Sequence, residues 1–143
     1  MQFNRLLLFL LAILLVTVFA SCERRSGSGI PFFPVNYQLT VSNPEFADLL
    51  AIGGWVYIGG GSRGIIVYRF SPDEFRAYDR HCTFQVEDDC RVSMDNTDIF
   101  AVDNTCCSSK FLIVDGAPTE GPAAIGLQQY NTSFNGNILR VFN

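Results

Sequence analysis

Histidine and tryptophan each occur once in these 143 residues, and Lys110 is the only lysine. Basic residues number 10 against 14 acidic ones, for a net charge of −4. Neutralising a phosphate backbone requires clustered Lys and Arg, so nucleic acid is set aside as a partner. A Ser, His and Asp triad needs a free imidazole beside its nucleophile. The single imidazole, His81, instead adjoins a cysteine placed to be oxidised, which excludes hydrolase chemistry of that type. No internal repeat or low-complexity tract is present. The acidic run Glu87-Asp88-Asp89 lacks the alternating ligands of a calcium loop and reads as a solvated hairpin tip. Asn131-Thr132-Ser133 fits a glycosylation sequon, a short pattern that carries little weight alone.

Charge is also missing from the opening stretch. Arg5 is its only charged residue, and an apolar run from Leu6 to Ala20 is interrupted only by Thr17. A run of about 15 residues falls short of the roughly 20 needed to cross the hydrocarbon of a bilayer, and it matches a secretory signal. Small residues then lead into a cysteine. Phe19-Ala20-Ser21-Cys22 resembles the lipobox of bacterial lipoproteins, with Phe19 where the pattern prefers Leu. The resemblance implies cleavage after residue 21 and a diacylglyceryl group on Cys22. The alternative is an uncleaved anchor helix with an incidental cysteine, and both readings place the domain outside the cytoplasm. The expected organisation is therefore a signal peptide over residues 1–21, a lipidated tether over 22–34 and one domain over 35–143. Cleavage removes only Arg5 from the charge balance, leaving nine basic against fourteen acidic residues, or −5.

Five cysteines minus Cys22 leave four: Cys82, Cys90, Cys106 and Cys107. An even count in an oxidising compartment favours two disulfides. Four thiols allow three pairings, of which Cys106 with Cys107 is disfavoured because a bridge between adjacent residues strains the intervening peptide.

Glu23 to Pro34 reads as a flexible tether that stiffens at Pro31 and Pro34. From Val35 the pattern turns to strands: Val35 to Val41 alternates apolar with polar. Glu45 to Ile52 forms one helical turn or a loop. Trp55 to Ile58 and Ile65 to Phe70 are β-rich runs joined by the loop Gly59-Gly60-Gly61-Ser62-Arg63-Gly64. A phosphate cradle would require a helix after Gly64; β-branched residues follow instead, so the loop is a hairpin turn. Ser71-Pro72-Asp73-Glu74 reads as a short helix start, with Ser71 as cap and Glu74 closing a capping box. Short strands follow at 75–78, 92–94, 99–102, 111–114 and 138–142, with turn chemistry at Asp115-Gly116 and Asn135-Gly136. Eight or so short strands with little helix predict a small all-β sandwich or barrel.

Three fragments then carry a resemblance. Ala77-Tyr78-Asp79-Arg80-His81-Cys82-Thr83-Phe84, Cys106-Cys107-Ser108-Ser109-Lys110-Phe111 and Gly121-Pro122-Ala123-Ala124 occur in that order. The hairpin before the first fragment, the Asp115-Gly116-Ala117-Pro118 turn and the Gly136 to Leu139 segment complete the set. Together, over about Gly53 to Asn143, they resemble the Rieske iron–sulfur domain family. That implies an antiparallel β-sandwich or barrel with two cysteine-bearing loops. It also implies a site that in the family holds a 2Fe–2S cluster through two cysteines and two histidines, from a Cys-x-His loop and a Cys-x-x-His loop.

Laid on this chain, the four cluster positions are Cys82, Phe84, Asn104 and Cys107. Phe84 has no electron pair to offer iron, and an Asn104 amide is a poor ligand for a soft metal. The resemblance thus leads to a degenerate cluster site with no cofactor expected, and to a non-catalytic structural or interaction module. It would be held by its lipid at the bacterial envelope, on the periplasmic or surface face of a membrane, beside an unknown envelope protein. Members of the family from cytochrome bc complexes join the two loops by a disulfide, which implies Cys90 with Cys106 here and leaves Cys82 with Cys107. His81 precedes Cys82 rather than following it by two, and reads as an exposed loop histidine. The alternative function is an electron-transfer protein that binds a 2Fe–2S or other metal centre through the set Cys82, Cys90, Cys106 and Cys107.

Overall fold

A computed structural model describes residues 28–143. The signal segment, Cys22 and the first part of the expected tether lie outside the described residues. Among the described residues no helix is long and apolar enough to cross a membrane.

Among the described residues, ten strands form two antiparallel sheets. Strands β1 (Asn36–Thr40), β2 (Trp55–Ile58), β3 (Ile65–Arg69), β4 (Phe75–Asp79), β9 (Gln129–Phe134) and β10 (Ile138–Phe142) make the larger, in the order β1-β10-β9-β4-β3-β2. Strands β5 (Ser93–Met94), β6 (Phe100–Val102), β7 (Lys110–Leu112) and β8 (Pro118–Glu120) make the smaller, in chain order. The fold is all-β, as the sequence predicts.

Strand β3 shows how the sequence builds this arrangement. Its run Ile65-Ile66-Val67-Tyr68 does not alternate, because both faces are covered. Ile65 and Val67 join a core with Leu39, Leu49, Val56, Leu139 and Val141, whereas Ile66 and Tyr68 face a second core with Val92, Ala101, Phe111 and Ile113. Alternate side chains of a strand point to opposite faces, so one central strand supplies both cores. Full burial of each aliphatic side chain contributes about 1.5–3 kcal/mol. Phe75 and Ala77 of β4 face the first core and Tyr78 the second.

The ambiguous segment after β1 is a 3-10 helix, Pro44–Leu50, that buries Phe46 and Leu49. The Gly59 to Gly64 loop joins β2 to β3 as a hairpin, with Ile58 opposite Ile65. Ser71-Pro72-Asp73-Glu74 is not a helix but the tight connection of the β3–β4 hairpin. Phe70 N–H donates to Glu74 O at 2.9 Å, while the Arg69 guanidinium reaches Ser71 O and Pro72 O at 3.3 and 2.6 Å. Held carbonyls and strands paired on both sides leave no room for a helical turn.

Strands β8 and β9 escape the sequence pattern. In β9 only Tyr130 is buried, and the outward residues Gln129, Asn131 and Ser133 are polar. The strand is set by its neighbours, with Ala77 opposite Tyr130 and Val141 opposite Thr132. The sequon Asn131-Thr132-Ser133 lies within it.

Residues 28–34, expected to be part of the free tether, run along the domain. Ser28 Oγ donates to Gln128 Oε1 at 2.9 Å, and Asn143 Nδ2 donates to Phe33 O at 2.9 Å.

Candidate functional site

The four domain cysteines lie on two loops, residues 80–92 between β4 and β5 and residues 103–109 between β6 and β7. A buried carboxylate at the end of β4 sets the start of the first. Asp79 has no exposed surface, and its oxygens accept from Ser62 N–H at 2.6 Å, Arg63 N–H at 3.2 Å, His81 N–H at 2.8 Å and Tyr130 O–H at 2.7 Å. The loop after β2 can reach this carboxylate because Gly61 has φ +63° and no side chain; a Cβ there would collide with Asp79 Oδ2 and the Tyr130 hydroxyl. An Arg63–Asp89 ion pair ties the same glycine loop to the first cysteine loop.

His81 follows, and it is not the exposed histidine that the sequence predicts. Only 1% of its surface is accessible. Its Nε2 lies 2.9 Å from Val86 O, and since a carbonyl only accepts, Nε2–H is the donor. Nδ1 then accepts from Ser62 Oγ at 2.8 Å. Both nitrogens are used in holding the loop, which leaves no lone pair for a metal. The acidic run shapes the same loop from outside: Val86–Asp88 is a 3-10 turn whose Glu87 and Asp88 are exposed.

Cys90 and Cys106 form a disulfide between the two loops, with Cα atoms 6.2 Å apart. The other expected bridge is absent. Cys82 and Cys107 are free thiols with sulfurs 3.5 Å apart, in contact but not bonded. The reason lies in what surrounds Cys107: its Sγ is 3.2 Å from Asp103 Oδ2 and 3.0 Å from Ser109 Oγ, and both contacts turn it toward the second loop's own polar groups. Because Cys90 and Cys106 are bonded to each other, the four-thiolate set of Cys82, Cys90, Cys106 and Cys107 is not available either.

The second loop is organised by Asp103, which has no exposed surface. Its Oδ1 accepts from Thr105 N–H at 3.0 Å, Thr105 O–H at 3.1 Å and Cys106 N–H at 3.0 Å, leaving Oδ2 for the Cys107 thiol. Burial pushes this carboxyl up, but the N–H donors of Cys106 and Thr105, with the Cys107 thiol, outweigh it and hold Asp103 below the usual carboxylate range. Burial pushes the Cys82 thiol up to about 12; the Phe84 N–H opposes this, whereas Cys107 and Asp103 add to it.

Of the four positions that the resemblance implies for cluster ligands, Cys82 and Cys107 meet. Phe84 is half-buried and packs against the second core, and Asn104 is exposed. The residues present therefore do not fit a 2Fe–2S cluster held by two cysteines and two histidines: one position carries a hydrocarbon ring, one carries a solvent-facing amide, and the lone histidine is committed elsewhere. What the two loops do bring together is a different group, Cys82, Cys107 and Asp103, whose ligand atoms all lie within 4.8 Å of one another. Sequence reasoning passed over Asp103 and Asp79. The Asp103-Asn104-Thr105 stretch, with an acid placed to cap two residues on, was the available signal for the first.

No protein-family model matches the sequence, and no curated protein matches it. Solved structures do resemble the fold. The cyanobacterial plasma membrane Rieske protein PetC3 from Synechocystis PCC 6803 superimposes with a TM-score of 0.55 at 22% identity, over 75% of this chain and 99% of that one. The ferredoxin of carbazole 1,9a-dioxygenase from Nocardioides aromaticivorans IC177 does so with a TM-score of 0.50 at 18% identity, over 78% of this chain and 98% of that one. Two antiparallel sheets with a disulfide joining the paired loops, together with these likenesses, give the chain a Rieske-like fold.

Proposed function

We propose that this chain is an envelope lipoprotein in which a Rieske-like domain serves as a non-catalytic structural or interaction module rather than an electron carrier. One observation carries the reading: at two of the four positions where the family resemblance puts ligands, Phe84 packs into the core and Asn104 faces solvent. Neither supplies a soft ligand. With the cluster positions disabled, the Cys90–Cys106 cross-link holds the two loops together. The lipid on Cys22 holds the domain at a membrane surface, and the exposed part of the domain is what an envelope partner meets. The similarity to a plasma membrane Rieske protein accords with a membrane-associated setting.

Iron and acid-labile sulfide analysis of anaerobically purified full chain tests the reading. The expected result is no labile sulfide and a colourless protein; two irons and two sulfides per chain would overturn it. The anchor is tested separately by Cys22→Ser, which is expected to shift the protein from the membrane fraction to the soluble fraction.

A further inference from the structure

We propose that Cys82, Cys107 and Asp103 form a mononuclear site for a thiophilic divalent cation of the zinc class, at the place where the two loops meet. This goes beyond the preceding reading and is compatible with it, because zinc does no redox chemistry.

Four observations carry the proposal. The first is spacing. Two sulfurs on one tetrahedral zinc, each about 2.3 Å from the metal, stand roughly 3.8 Å apart, whereas a cystine requires about 2.05 Å. The observed 3.5 Å is close to the first value and far from the second. The second is charge. Asp103 is fully buried, and its partners are backbone N–H groups, the Thr105 hydroxyl and the Cys107 thiol, none of them cationic. Hydrogen bonds on Oδ1 hold that negative charge in place, and Oδ2, whose one partner is the Cys107 thiol, faces the two sulfurs and can take a divalent ion beside them.

The third observation is that the Cys107 sulfur already has an outer donor. Ser109 Oγ accepts from Ala123 N–H at 3.1 Å, so its own hydrogen is free for Cys107 Sγ at 3.0 Å. Outer hydrogen bonds of this kind orient metal ligands and tune their basicity. The fourth is access. Cys82 is buried, but Cys107 is only partly covered and its neighbours Asn104 to Cys106 are exposed, so a fourth position opens to water. Two sulfur ligands exclude magnesium and calcium, which take oxygen.

Binding is balanced by proton release. The carboxylate enters already ionised, two thiols become thiolates, and two protons leave to solvent for each ion bound.

Cobalt(II) titration of the metal-free full chain, under anaerobic conditions, is the test. The expected result is saturation at one ion per chain, with sulfur-to-cobalt charge-transfer bands and the visible spectrum of tetrahedral thiolate coordination. Zinc is expected to displace the cobalt, and two protons to appear per ion. Cys82→Ser and Cys107→Ser are expected to abolish the bands. Asp103→Asn and Ser109→Ala should weaken binding at least about tenfold, and the latter keeps every ligand should the others fail to fold. Absence of the bands in a chain with two titratable thiols would overturn the proposal, as would a chain two hydrogens lighter with a Cys82–Cys107 cystine. Neither result would touch the proposed function. Two irons with two labile sulfides would overturn both.

Discussion

Asp79 and Gly116 show how single residues hold the loops in place. Asp79 satisfies three backbone N–H groups and one phenol from three separate segments. An amide can accept through only one of its two head atoms, so Asp79→Asn leaves buried donors without partners. The expected cost is about 3 kcal/mol, since each bond to a charged group contributes about 1.5–3 kcal/mol. Urea unfolding checks it, and a loss under about 1 kcal/mol would show that the carboxylate does not organise the loop. Gly116 has φ +71°, and a Cβ there would lie 2.7 Å from Tyr78 Cε1, part of a ring with no exposed surface. Backbone strain and overlap act together in Gly116→Ala, with an expected loss of about 2 kcal/mol or more, read as a lowered unfolding midpoint with unchanged m-value. The Asp115-Gly116 turn was legible from its residue types. The ring that forbids a side chain there was not, because Tyr78 approaches from a strand nearly forty positions earlier in the chain.

At the scale of elements, the disulfide joins two loops whose sheets otherwise meet through the second core. Cys90 and Cys106 are 16 residues apart, and closing a loop of this size restricts the unfolded chain by about 3 kcal/mol. The double variant Cys90→Ala, Cys106→Ala is expected to lose about that much against the oxidised protein in denaturant titration, with the large sheet retained in far-UV circular dichroism. A fall in stability below about 1 kcal/mol would mean that strand pairing alone fixes the loops. The strands with apolar patterning, β1 to β4 and β10, were readable within a residue or two. Strand β9 was not, because its outward face is polar and its register comes from Ala77 and Val141 on its neighbours. The Ser71-Pro72-Asp73-Glu74 stretch carried a helix signal that was overridden by the pairing of Arg69 with Phe75 across the hairpin.

For the molecule as a whole, buried phenols and a buried thiol predict alkaline sensitivity. Burial, helped by Asp115 and Tyr68 and opposed by Arg76, pushes Tyr78 up to about 12 from 10.0, and its hydroxyl has no hydrogen-bond partner among the described residues. Burial first, then the hydrogen bond to Asp79 and its charge, raise Tyr130 as well. In the metal-free chain Cys82 rises in the same sense, to about 12 from 9.0. For each group the folded state holds its proton more tightly, so the unfolded state ionises first as pH rises. Stability is therefore complete below pH 9, declines as the thiol's ordinary value is passed, and falls more steeply from pH 10 through about 12. Urea midpoints measured from pH 8 to 12 check this, and a flat profile above pH 10 would contradict the burial of Tyr78. By itself the sequence determined the all-β class, because periodicity is a local property, while its resemblance to the Rieske family implied the two cysteine loops and put the unsuitable residues Phe84 and Asn104 at ligand positions. Only the tertiary structure decided that His81 is buried, that Cys82 and Cys107 touch without bonding, and that Asp103 completes their group. Those facts depend on where residues distant in the chain converge, and convergence is set by the packing of two sheets rather than by any local pattern.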